Sequence, residues 1–364
     1  MTLSLYFIRR FVKVVAQVFF VFFGILMLTD MVEQLRRFSG QGISLADAAT
    51  LALLNVPATL YLILPLVFIL AAIALFLALA KSSELVVVRA AGRSGLQFLL
   101  APVTAALLLG AFAVAVLNPL VAATSKQYDI FYAHQARGVE SVLSLSDDAL
   151  WLRQGGVDGQ TVIQAARADL DGTRLFAATF LIFDPEGTPV QRIEAEEALL
   201  EPGSWVLRNA KYWDLTTANP EVGAEMKSSA RLASELTRDR IRDSFGTPSA
   251  IPIWALPSYI AKLELAGFTA RAHRVWLQME LALPLLLAAM VLVAAGFTMR
   301  HARFGQTGQR VVFALTGGFA IFFLRNFAQV LGENGQIPVY LAAWTPPVAA
   351  ILLALGLLLH LEDG

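Results

Sequence analysis

Six apolar runs constrain this chain more than any other feature of it. They cover residues 11–28, 58–80, 96–117, 276–297, 311–331 and 339–359. About 20 apolar residues in a helix span the hydrocarbon core of a bilayer, and only helices or closed barrels satisfy their own backbone there. Each run therefore predicts a transmembrane helix. Composition agrees: 57% of the residues are hydrophobic, only 15% are charged, and the mean hydropathy is +0.63. A soluble chain is nearer a quarter charged.

Of the 56 charged residues, 32 lie between Lys126 and Asp243. That segment reads as a soluble domain set between two membrane blocks. Residues 149–153, 161–167, 175–183, 190–198, 204–214 and 226–236 have strand composition. Turn signals such as Asp171-Gly172, Asp184-Pro-Glu-Gly187 and Glu201-Pro-Gly203 separate them. Short strands at even spacing predict a sandwich, jelly roll or barrel. Residues 175–183 are apolar on both faces, which predicts a central strand whose second face meets something apolar.

The plan that follows is α-helical and membrane-integral, with six transmembrane helices split 3+3 around an inserted β domain. Residues 1–125 hold the first three spans and a helix at 82–92. Residues 126–250 hold the β domain, and 251–364 an interfacial helix and the last three spans. Residues 43–56 predict an amphipathic helix. Pro65 and Pro284 predict kinks in the second and fourth spans, and Asn118-Pro119 the end of the third. No small-x-small cleavage pattern follows the first run, so it is expected to stay as a span.

Basic residues set the orientation. With the N-terminus inside, nine fall on inner segments, among them Arg9, Arg10, Lys13, Arg89 and Arg303. Only Arg36 and Arg37 fall in the short outer loops. Both termini and the 82–92 helix are thus expected in the cytoplasm, with the β domain on the other side.

Catalytic patterns are missing. There is no cysteine, hence no thiolate nucleophile or thiolate metal site. No Gly-x-x-x-x-Gly-Lys-Ser/Thr occurs, so no P-loop is expected to bind ATP. His134, His273, His301 and His360 lack metal-ligand spacing. The formal net charge is zero, which gives no sign of nucleic acid. No catalytic residue, metal or cofactor is expected.

Three polar features invite a role. Residues 82–92 form a short apolar helix, with Ser82 or Ser83 to cap it, Glu84 in its first turn, Arg89 near its end and Gly92 to terminate it. Such a helix either lies in the headgroups or seats in a partner. Arg36 and Arg37 suit an anionic headgroup, or a solvated interface. Arg325 lies about 9 Å inside the fifth span and needs a partner, a polar cavity or a path to the interface. Asp30, at the outer end of the first span, supplies the opposite charge if spans one and five are neighbours.

Ile63-Leu-Pro65, followed by Ser83-Glu-Leu-Val-Val-Val-Arg-Ala-Ala-Gly92, resembles the LptF/LptG (YjgP/YjgQ) permease family of lipopolysaccharide export. Gln34-Leu-Arg-Arg37, the inserted β domain, residues 256–267 and Gly335-Gln-Ile-Pro338 extend the likeness over almost the whole chain. The second half is more similar to the G branch than to the F branch. The resemblance implies a bacterial inner-membrane permease with a periplasmic β-jellyroll. Its implied partners are an LptF-like sister permease, an LptB-like ATPase dimer that supplies the energy, and an LptC-like single-span protein. Its implied cargo is lipopolysaccharide. Ser83, Glu84, Leu85, Val88, Arg89 and Gly92 then belong to the helix seated in the ATPase, and Arg36 and Arg37 to the lipid headgroup site. Position 30 is often basic and position 325 acidic in that family. Here the charges are exchanged, which favours an Asp30–Arg325 pair at a gate. Two other readings stand beside it: a permease of another ABC-type lipid or lipoprotein exporter, and a membrane-anchored scaffold.

Overall fold

Helix α1 (Thr2–Arg37) opens the chain with 36 unbroken residues, about 54 Å at 1.5 Å per residue. The computed structural model describes residues 2–39, 44–82, 84, 94–136, 143–145, 150–156, 159–169, 172–217, 219–234, 236–237, 241, 247–265, 269–299 and 307–362. After α1 come α2 (Leu45–Leu62), α3 (Leu64–Lys81) and α4 (Gly95–Phe112). A five-residue π segment, Ala113–Leu117, leads into α5 (Asn118–Ala136). Seven strands follow: β1 (Leu143–Leu145), β2 (Leu150–Gly156), β3 (Gly159–Ala168), β4 (Arg174–Phe183), β5 (Pro189–Glu201), β6 (Ser204–Asp214) and β7 (Glu225–Ala233). The chain closes with α6 (Leu256–Leu265), α7 (Arg271–Thr298), α8 (Thr307–Glu333) and α9 (Val339–Glu362).

The chain divides into two units. The helical unit holds Met1–Gln135, Ser249–Trp254 and Arg271–Gly364. The β unit holds Ala136–Pro248 and Ala255–Ala270, so α6 groups with the strands. Its apolar face, Leu256, Ile260 and Leu263, is buried.

Among the described residues, seven helices are long and apolar enough to cross a membrane, one more than the apolar runs indicated. The extra one arises because the run at 58–80 does not start a new helix. α2 carries on through Pro57 to Leu62, and the break falls at Ile63, with φ −89° and ψ 7°. α1 packs against both α2 and α3, which therefore follow one another along it. Ser44 caps α2 by accepting from the Asp47 N–H, and Ser94 caps α4 from the Gln97 N–H.

α7 is the hub of the helical unit, packing against α3, α4, α8 and α9. Bilayer helices gain little from burying apolar surface against each other, so close crossings rely on small residues. A Cβ on Gly110 of α4 would lie 2.5 Å from the Pro284 Cα of α7. One on Gly318 of α8 would meet Ile69 of α3 at 2.3 Å, and one on Gly332 would meet Ala342 of α9 at 2.6 Å.

The strands form one antiparallel sheet in chain order, β1 to β7. The inserted β domain is thus present as an up-and-down meander. β1, only three residues long, is the strand that sequence composition did not reveal. A crease runs across the sheet. Bridging lapses at Ala166/Ala177, Ala177/Glu196, Glu196/Asn209 and Asn209/Ser228 while the register on either side is unchanged. Ala177 and Asn209 sit there at φ +49° and φ +48°. Buried positions change parity at this line: Ile163 and Ala165 give way to Ala168, Leu175 to Ala178 and Phe180, Ile193 and Ala195 to Ala198, Trp205 and Leu207 to Ala210. The crease runs through residues 175–183, where β4 pairs with both β3 and β5. Successive strand residues normally alternate faces. The left-handed Ala177 inverts that alternation, so odd positions are buried before it and even positions after it.

Candidate functional site

Of the prolines in helices of the helical unit, three border one buried cluster, and each removes a defined hydrogen bond. A proline at position i has no N–H for the carbonyl of residue i−4. Pro65 denies a donor to Tyr61, Pro119 to Ala115 and Pro284 to Glu280. At Pro65 the chain breaks for one residue. At Pro119 the helix persists through a π turn, in which the Asn118 N–H bonds the Ala113 carbonyl. The expected helix end at Asn118-Pro119 is therefore a bulge, and α5 continues to Ala136. The Trp254 indole Nε1 donates to the Ala115 carbonyl at 3.2 Å, supplying the donor that Pro119 lacks.

Side chains from these interruptions meet in one buried cluster. Glu280 is 0% exposed. Its carboxylate accepts from the Tyr61 hydroxyl, and from Asn118 Nδ2 at 3.2 Å. The Asn118 side-chain Oδ1 accepts from the Ile253 backbone N–H at 2.9 Å. Arg325, 6% exposed on the neighbouring α8, interacts electrostatically with Glu280 and Tyr61. Among the described residues, Glu280 Oε1 has no hydrogen-bond partner. Ionisable groups in membrane helices are costly and face the bundle interior, where they pair. Glu280 meets this description, and sequence reading missed it. The missed signal was a lone carboxylate inside the apolar run 276–297.

The α3 end of the 82–92 segment is partly described. Ser83, Leu85, Val88, Arg89 and Gly92 lie outside the described residues. Ser82 follows α3, and its hydroxyl donates to Glu84 Oε1 at 2.7 Å. Glu84 accepts from Arg10 Nη1 at 2.6 and 2.8 Å, and Tyr6 donates to it at 3.3 Å. Burial pushes the Glu84 carboxyl up. The hydrogen bonds from Arg10 and Ser82 outweigh this and leave it below 4.5.

Arg36 and Arg37 end α1. Arg36, 78% exposed in its side chain, pairs with Glu33 at 2.8 Å. Arg37 reaches Glu33 at 3.6 Å and lies over the Tyr132 ring at 5.9 Å. Asp30 is about two turns earlier and accepts from Asn55 Nδ2 at 2.9 Å. It lines a cleft of about 330 Å³ between α1 and α2 with Leu26, Thr29, Glu33, Val56 and Thr59. The structure does not bring Asp30 and Arg325 together: Asp30 bonds to α2, while the charge facing Arg325 is that of Glu280 on α7. Arg271, also missed from sequence, donates to the carbonyls of Gly332 and Ile337 at 2.8 and 3.1 Å and fastens the turn between α8 and α9.

Long apolar helices with an inserted antiparallel sheet define the class: a multi-pass membrane protein. The family model for the lipopolysaccharide export system permease LptF/LptG matches residues 5–360. The chain belongs to that family. It is 27% identical over 339 residues to the lipopolysaccharide export system permease protein LptG of Escherichia coli (strain K12), covering 92% of this chain and 91% of the relative. Against the protein of the same name from Haemophilus influenzae (strain ATCC 51907 / DSM 11121 / KW20 / Rd), identity is 23% over 345 residues, 93% of each chain.

Proposed function

We propose that this chain is the permease subunit of an ABC-type exporter that takes lipopolysaccharide from the inner membrane and passes it to a periplasmic bridge. ATP is hydrolysed in a separate LptB-like dimer, and an LptF-like sister permease and an LptC-like protein complete the assembly. The observation that carries this reading is the family match over residues 5–360. In this reading α2 and α3 make one interrupted crossing, which gives six crossings. The distribution of basic residues puts both termini in the cytoplasm and the β unit in the periplasm.

Two residue groups then have roles. Residues 82–92 seat in the ATPase, and Glu84, tied to Arg10, joins that seat to α1 and α3. Arg36 and Arg37 receive the anionic headgroup. Arg36 is well placed for this because its acidic neighbour, Glu33, is itself exposed and gives up the guanidinium at little cost.

The test is reconstitution with the ATPase and sister permease in proteoliposomes, reading lipopolysaccharide-stimulated ATP hydrolysis. Glu84→Ala is expected to lower the stimulated rate. Arg36→Ala with Arg37→Ala is expected to raise the lipopolysaccharide concentration that gives half-maximal stimulation, leaving the unstimulated rate in place. Stimulation by another lipid or a lipoprotein alone would move the chain to another exporter. No ATPase coupling at all would favour a scaffold.

A further inference from the structure

We propose that Glu280 is a positioning residue for transport: it latches three proline-made hinges into one node, which carries movement of α3 to the segment returning from the β unit. The inference rests on the permease reading above. α3 has no internal break between Ile63 and Ser82 and is about 27 Å long. One end carries Ser82 and Glu84. The other adjoins Tyr61, whose hydroxyl bonds Glu280. From Glu280 the hydrogen bonds run to Asn118, and from Asn118 to the Ile253 N–H. Trp254 holds the π segment at Ala115 from the same return segment.

A helix bends most easily where its hydrogen-bond ladder is interrupted. Here α2–α3, α4–α5 and α7 are interrupted at residues bonded to one another or to the return segment. A carboxylate with all its neighbours on different helices ties their motion together. Burial makes it hold, because separating Glu280 from Tyr61 and Asn118 leaves polar groups unpaired away from water. Pro284 also sits at the closest approach of α7 to α4, against Gly110, so bending there shifts both helices.

The experiment uses the complete reconstituted complex and two readouts. The first is lipopolysaccharide delivered to a periplasmic acceptor per ATP hydrolysed. The second is the distance between spin labels at Leu62→Cys and Leu120→Cys, exposed sites beside the node, with and without nucleotide. The chain has no native cysteine, so it can be labelled alone before assembly.

For Glu280→Gln, delivery per ATP is expected to fall about tenfold, within the span typical of coupling between sites. Basal hydrolysis should stay within about twofold, and the nucleotide-dependent change in label distance should disappear. Tyr61→Phe should show a smaller loss, and adding it to Glu280→Gln should cost nothing further, as members of one network behave. Pro284→Ala should lower delivery per ATP without lowering the thermal midpoint, which a purely structural proline would not do.

Wild-type delivery per ATP in a folded Glu280→Gln complex overturns the proposal, as does a proportional fall in delivery and hydrolysis. If Glu280→Gln does not assemble, Tyr61→Phe, which removes one hydroxyl, decides by the same criteria. If the wild-type complex delivers no lipopolysaccharide, the permease reading of the cargo fails. The label distance then decides the latch, and an unchanged nucleotide response in the variant overturns it.

Discussion

The helical unit and the β unit both interrupt their regular structure, and they treat the interruption in opposite ways. In the helical unit one proline defect is met by a side chain from elsewhere: the Trp254 indole donates to the Ala115 carbonyl that Pro119 leaves without a donor. In the β unit the crease at Ala166, Ala177, Glu196, Asn209 and Ser228 is left at the exposed surface, with one Asn209–Glu196 hydrogen bond of 2.8 Å across it. Water satisfies freed backbone groups on an exposed sheet. No water serves those inside a bilayer, so protein must. The same kind of defect therefore costs little to remodel in one unit and much in the other.

The largest effect expected from breaking that contrast is Glu280→Ala. It strips hydrogen-bond partners from Tyr61 and Asn118 at once, and each buried polar group left unpaired costs about 1–3 kcal/mol. The thermal midpoint in detergent and the yield of monodisperse protein should both drop. Retention of the wild-type midpoint would contradict the node.

Ala177→Val comes next. Valine ordinarily favours strands, but here the backbone is left-handed, which costs an L residue about 1–2 kcal/mol and a β-branched one no less. Denaturant unfolding followed through the buried Trp205 should show the loss. A gain in stability would mean that position 177 is ordinary strand.

Trp254→Phe keeps the ring and removes the indole donor. About 0.5–1.5 kcal/mol of stability should go with it, read in the same thermal scan. No change would mean that the Ala115 carbonyl needs no protein donor.

The smallest effect belongs to the partly exposed pair. Arg10→Ala and Glu84→Ala should show a coupling of about 0.2–1 kcal/mol in a double-mutant cycle. The folded Glu84 carboxyl is held below 4.5, so its contribution is present above that value and lost as pH falls beneath it. A cycle repeated at neutral pH and in acid should lose its coupling in acid only. Coupling that persists in acid would point to packing rather than charge.

Much of this architecture was legible in the residues. The apolar runs located the helices, because a bilayer tolerates nothing else at that length and hydropathy. The charge-rich middle and its turn signals located six of the seven strands, within a few residues. Arg36, Arg37, Glu84 and Arg325 stood out because charge beside or within an apolar run is costly. What stayed hidden depended on which helices touch. Asp30 was matched to Arg325 by sign, depth and an exchange of charges relative to the family, yet Asp30 is bonded to Asn55 and Arg325 faces Glu280. Glu280 was passed over because it sits near the start of an apolar run, where a single carboxylate reads as a span boundary.

By itself, then, the sequence determined that this chain enters the membrane in two blocks and carries a β domain between them. Local hydropathy and turn chemistry suffice for that, since they act along a few neighbouring residues. Only the tertiary structure decided which proline becomes a break, which becomes a π bulge and which buried side chains close over them. Those outcomes depend on donors that arrive from helices far away in the chain, and sequence spacing carries no measure of that distance.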